Sequence, residues 1–216
     1  MRDKRQSLQL LAGQGFAPAT IVDVGVLHGT NGLYEVWPDA HVILIEALQR
    51  YAPAIEELCA KLKSAEYHIA AAGAAPGALT LAMPPDASVH GITTTERAPA
   101  DWTRFEVPVV TVDSLLATRG DAPSVVKIDV DGPELDVLKG CTASLARQQD
   151  VYVIEAALLD RENARFGQIV EYMRAHEYEV FDIIEPLFRP SDDALWQVDL
   201  VFVPRNSQAR AQRSYR

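Results

Sequence analysis

Apolar positions along this chain follow two rhythms, and their alternation predicts the fold. Runs rich in β-branched residues fall at Thr20–Val26, His41–Ala47, Val125–Val130 and Val151–Leu159, and Glu66–Ala72 reads as a further strand. That composition suits strands buried on both faces of a parallel sheet. Between them, helical spacing predicts an N-terminal helix within 1–16 on Leu8, Leu10 and Leu11, a helix from Thr30 or Asn31 to Trp37, and one over 51–63 on Ile55, Leu58 and Leu62. Further helices follow over Leu115–Leu116, capped by Asp113, over Pro133–Gly140 on Leu135 and Leu138, and over Phe166–His176.

A short hairpin is expected at Ala78–Met83, and Val109–Val112 reads as a further strand. Tyr178–Ile184 and Gln197–Val203 are two strands with only a loop between them, so they should pair antiparallel. Strands and helices that alternate and then close on a hairpin predict a doubly wound, mostly parallel seven-stranded sheet with helices on both faces and a C-terminal antiparallel hairpin. The expected division is a helical segment over 1–19, one domain over 20–204, and a tail over 205–216 that carries four arginines and reads as a solvated end. Residues 84–108 lack periodicity and hold Thr93–Thr95, His90, Arg97, Trp102 and Arg104, the makings of a lid or binding loop.

Composition narrows the classes of partner. The chain has 216 residues, 48% of them hydrophobic, and a net charge of -10. That is enough for one full core, and the negative charge disfavours broad contact with nucleic acid. No run approaches a membrane span and the N-terminus does not read as a signal peptide, so no membrane partner and a cytoplasmic location are expected. Cys59 and Cys141 lie among helical apolar residues and read as buried free thiols.

The candidate chemistry gathers at the carboxyl ends of the strands, where sheets of this kind bind ligands. Asp23-x-Gly25-x-x-x-Gly29 joins the first strand to its helix, and its glycines let a ligand approach the backbone closely. Glu46 ends the second strand about 20 residues beyond that turn, the place where an acid holds the hydroxyls of a ribose. Alternation puts Lys127, Asp129 and Asp131 on one face of their strand, where Lys127 and Asp129 can also form a structural ion pair. Asp129, Asp131 and Glu155 could gather a hard cation such as Mg2+. His28 sits inside the turn and is a candidate base. The adenosine-type site leaves methyl and hydride transfer both open, although G-x-G-x-x-G is missing. A nicotinamide-dependent oxidoreductase, or a non-catalytic protein that keeps the fold, is the alternative.

One stretch is more specific. VVKIDVDGPELDVLKG, from Val125 to Gly140, resembles the K-I-D-V-x-G-x-E-L-x-V-L-K-G signature of FkbM-type methyltransferases, and IVDVGVLHGT, VPVVTVDSL and QVDLVFV fall in that family's order. The resemblance spans Thr20 to Val203. It implies a class I methyltransferase that uses S-adenosylmethionine to methylate a hydroxyl oxygen of a small molecule, such as a sugar or other natural product. A homodimer is compatible with the chain. The candidate cofactor residues are Asp23, which can meet the cationic amino group of the methionine part directly or through water, Gly25, Val26, Leu27, His28, Gly29, Thr30, Glu46, Ala47, Ala71, Ala72 and Asp129, and the candidate catalytic residues are Asp129, Asp131 and His28. Two departures stand out. Val26-Leu27-His28 replaces the family's Ala-Asn-containing turn, and Gly132-Pro133 replaces Gly-Ala or Gly-Tyr.

Overall fold

The computed structural model describes residues 2–85, 93–94, 98–158 and 165–211. Its order is α1 (Lys4–Gly13), β1 (Thr20–Val24), α2 (Asn31–Tyr34), β2 (His41–Glu46), α3 (Ala52–Cys59), β3 (Ala65–Ile69), β4 (Ala71–Ala72), β5 (Gly77–Met83), β6 (Thr93–Thr94), β7 (Thr103–Val110) and α4 (Val112–Leu116). Then come β8 (Ser124–Ile128), α5 (Glu134–Lys139), α6 (Thr142–Ala146), β9 (Val151–Ala157), α7 (Arg165–Ala175), β10 (Tyr178–Phe188) and β11 (Leu195–Pro204).

The expected seven-stranded sheet forms, in the order β10-β11-β9-β8-β1-β2-β3. Neighbours from β3 to β9 run parallel, and β11 lies antiparallel to both β9 and β10. Every residue of β1, β8 and β9 is buried, as β-branched runs covered on both faces require. One core packs Val22, Val126, Ile128, Tyr152 and Ile154 under α4 to α7. The other packs Ile21, Val125, Val153 and Val201 under α1, α2 and α3. Among the described residues no helix is long and apolar enough to cross a membrane.

A second, four-stranded sheet in the order β4-β7-β5-β6 was not expected. The strand read over 66–72 breaks at Ala70, and Ala71 and Ala72 leave the main sheet to pair with Val109 and Val110. The strand expected at Val109–Val112 instead starts at Thr103, inside the stretch read as irregular, and runs antiparallel to β5. Gly140 fits this layout because an added Cβ would lie 2.1 Å from the Gly73 carbonyl oxygen. Of the expected lid, His90, Thr95 and Arg97 lie outside the described residues. Arg104 turns back on its own loop, donating to the carbonyls of Pro99, Ala100 and Trp102.

Other elements shift in length or partner. The helix expected from Thr30 to Trp37 is only Asn31–Tyr34, and Thr30 makes no side-chain cap. The helix read over 51–63 ends at Cys59, which is half-buried rather than buried. Leu10 is exposed on α1, while Leu8 and Leu11 are buried. Thr111, not Asp113, caps α4 by accepting from the Ser114 N–H. Asp113 accepts from the N–H groups of Ala143 and Ser144 at 2.7 and 2.9 Å, satisfying the first turn of α6, a helix additional to those expected. β10 runs on through Pro186, a residue an edge strand tolerates. The start of the tail is folded: Arg205 pairs with Glu177 and Glu179, and Ala209 packs against the core.

Candidate active site

β1, β2, β8 and β9 all point their carboxyl ends the same way, so their terminal acids converge. The turn after β1 is built on left-handed backbone, with φ of 81° at Gly25, 47° at Leu27 and 95° at Gly29. Glycine is required at 25 because an added Cβ would lie 1.8 Å from the Asp129 carbonyl oxygen. This close approach seats the turn directly on the end of β8.

Glu46 holds the same turn from the other side. Its Oε2 accepts from the Leu27 N–H at 3.0 Å and its Oε1 from the Leu48 N–H at 2.9 Å. The carboxylate is buried, and each oxygen keeps a second lone pair. Ala47 is half-buried beside it. His28 is exposed and meets the Tyr51 ring edge-on, with centroids 5.3 Å apart.

Asp23 lies underneath the turn. It is 0% exposed, accepts from the Tyr34 hydroxyl, and sits 3.1 Å from Lys127 Nζ. Lys127 is also 3.1 Å from Asp129 Oδ2 and donates to the Gly25 carbonyl at 3.0 Å. Burial alone would lower the Lys127 ammonium, yet the two carboxylates outweigh it and hold the pKa above its ordinary value. Burial, then the neighbouring Asp23, pushes the Tyr34 phenol far up. The structural ion pair considered for Lys127 and Asp129 is therefore present and extends to Asp23. Asp23 is buried beneath the turn, between Tyr34 and Lys127. Asp129 is the open acid of this group, its side chain 36% exposed.

Glu155, on β9, neighbours Asp129. Burial first, then the adjacent Asp129, raises its pKa to about 9. Asp129 moves the other way: burial would raise it, but Lys127 and Glu155 outweigh burial and hold it below the usual carboxylate range. Asp131 is exposed beyond the strand, at a φ of 52°.

The structure thus gathers Asp23, Gly25, Lys127 and Asp129 at one point and Leu27 with Glu46 at another on the same turn. Val26 is core, Gly29 faces Leu58, and Ala71 and Ala72 belong to the second sheet. The Mg2+ alternative on Asp129, Asp131 and Glu155 finds no support: among the described residues no three His, Cys, Asp or Glu side chains are placed to hold an ion. Tyr34, Gln197, Asp199 and Lys4 went unread as site residues. The available signal was Gln197 and Asp199, two polar residues at period two within a buried final strand.

A parallel sheet closed by an antiparallel hairpin, with a glycine turn and a strand-end acid at its ligand edge, is the fold of a class I methyltransferase. The model of the methyltransferase FkbM domain matches residues 23–180, and the chain belongs to that family. Among solved structures, an FkbM methyltransferase from Methylobacillus flagellatus KT is 17% identical with a TM-score of 0.55, the match covering 85% of this chain and 43% of that one. This chain accordingly spans less than half of that protein's length. The O-methyltransferase TomG from Streptomyces achromogenes, involved in tomaymycin synthesis and solved in complex with S-adenosylmethionine, is 15% identical with a TM-score of 0.52, covering 94% of this chain and 81% of that one. No curated protein matches the chain.

Proposed function

We propose that this chain is an S-adenosylmethionine-dependent methyltransferase that acts on a hydroxyl oxygen of a sugar or other small natural product. The observation that carries the reading is the joint held by Gly25 and Glu46, where the glycine turn, the ribose-type acid and the end of β8 meet. The residues fit the cofactor. Glu46 retains acceptor capacity for two hydroxyls after holding Leu27 and Leu48. Asp129, not the buried Asp23, supplies the accessible negative charge for a cationic group.

Bound S-adenosylmethionine would supply an electrophilic methyl group on a positively charged sulfur. The protein's part is to align an acceptor, exclude water and take one proton. Asp129, steadied by Lys127, aligns the acceptor hydroxyl by accepting its hydrogen bond. His28, exposed on the turn, lines the cofactor's approach. Family membership leaves the nicotinamide alternative without support.

The test is a screen of sugars and other alcohols with isotopically labelled methyl donor, read by mass spectrometry. An O-methylated product, absent with Asp129→Asn, is expected. Label appearing only on nitrogen or carbon would contradict the hydroxyl assignment, and no transfer to any acceptor would favour a non-catalytic role.

A further inference from the structure

Three acids stand in one row across adjacent strands at the edge of this site. Glu155 on β9 lies directly opposite Asp199 on β11. Asp129 lies one residue beyond Ile128, whose partner is Ile154, so it stands beside Glu155 on the same face. Cations hold the two outer members. Lys127 Nζ is 3.1 Å from Asp129, and Lys4 Nζ of α1 is 2.9 Å from Asp199.

The middle acid is held differently. Among the described residues Glu155 has no cation of its own, and it is 9% exposed. Gln197 Nε2 donates to Glu155 Oε2 at 2.6 Å, and the strand register sets the Glu155 carboxyl beside that of Asp129. A buried carboxyl beside a second carboxyl is repelled when both are ionised, whereas a proton between them makes a bond. Because the Gln197 amide donates to Oε2, a proton on this carboxyl belongs on Oε1.

We propose that Glu155 is a positioning residue for the transfer put forward above: as a neutral acid it donates a hydrogen bond to Asp129 and fixes the orientation in which Asp129 meets the acceptor. The inference rests on that reading for its purpose, but its chemistry can be measured without any ligand. The groups facing the pair are Lys127 from β8, Asp131 from the turn beyond, Gln197 and Asp199 from β11, and Lys4 from α1. Burial and the three aspartates raise the Glu155 pKa to about 9. The proton is therefore present through neutral pH. Above about 9 it leaves, and the donor becomes a second negative charge beside Asp129.

The experiment is an NMR titration of the intact protein with 13C at the glutamate or aspartate side-chain carboxyl. One glutamate should titrate near pH 9, be missing from Glu155→Gln, and move down by about one unit or more in Asp129→Asn, where a neighbouring charge is gone. Asp129 should keep its lowered titration in Glu155→Gln, whose amide still donates, and rise in Glu155→Leu, which cannot. A folded parent in which every glutamate titrates in the ordinary carboxylate range would overturn the proposal. So would an unchanged Asp129 titration in a folded Glu155→Leu. Failure of the parent to bind S-adenosylhomocysteine would strike the methyltransfer reading alone.

Discussion

Replacing Lys127 by methionine is expected to cost the fold about 3–5 kcal/mol, the usual penalty for breaking a buried ion pair from one side. Methionine keeps the length and apolar stem of lysine but removes the ammonium that lies between Asp23 and Asp129. Asp129 can turn to solvent, since its side chain is 36% exposed. Asp23 cannot: it is 0% exposed and would keep the Tyr34 hydroxyl alone. The Gly25 carbonyl would lose its donor as well. For a chain of this size the melting temperature should fall by roughly 10 °C, measured by circular dichroism. Adding Asp23→Asn to Lys127→Met should recover part of the loss, because the stranded charge is then gone. A single variant as stable as the parent would show that the buried triad is not what seats the turn.

Gly25→Ala should damage both stability and binding. Two separate costs add at this residue. A φ of 81° is unfavourable for any residue with a Cβ, and that Cβ would lie 1.8 Å from the Asp129 oxygen and 2.9 Å from its carbonyl carbon. Both obstructing atoms are backbone, so no rotamer change relieves the clash. The turn must lift from β8, carrying the Leu27 N–H away from Glu46. A stability loss of about 2–4 kcal/mol and a loss of more than about tenfold in S-adenosylhomocysteine affinity are expected, by urea unfolding and calorimetry. Gly13→Ala is the control, since nothing lies within 4 Å of its added Cβ and its φ is not left-handed. Equal behaviour of the two variants would contradict the close packing of turn and strand.

What the sequence made legible depended on whether its cause was local. Buried β-branched runs announced β1, β2, β8 and β9 to within two or three residues, and the two-residue period placed Lys127 and Asp129 on one side of their strand. The terminal hairpin followed from the lack of a helix between its strands. The second sheet was not legible, because Thr103–Val110 carries Thr103, Arg104 and Glu106 among its eight residues, contains Pro108, and becomes a strand through pairing with Gly77–Met83 across a long separation in sequence. The partner of Asp113 lies 30 residues away at Ala143, whereas the local rule pointed to the helix it begins.

The site shows the same division. Gly25 and Glu46 could be named from strand-end position, and their contact through Leu27 ties them to one turn. That Asp23 faces inward could not be read, since it depends on Tyr34 and Lys127 arriving from two other elements. The state of Glu155 depends likewise on acids from β8 and β11 standing in register beside it.

Calorimetric titration of the unmodified protein with S-adenosylhomocysteine, run beside Glu46→Ala, bears most directly on the claim that the glycine turn and the second-strand acid hold an adenosyl cofactor. Saturable binding by the parent, weakened by about tenfold or more in the variant, is the expected result. A folded parent that takes up no ligand, or a Glu46→Ala protein that binds as tightly as the parent, would contradict it.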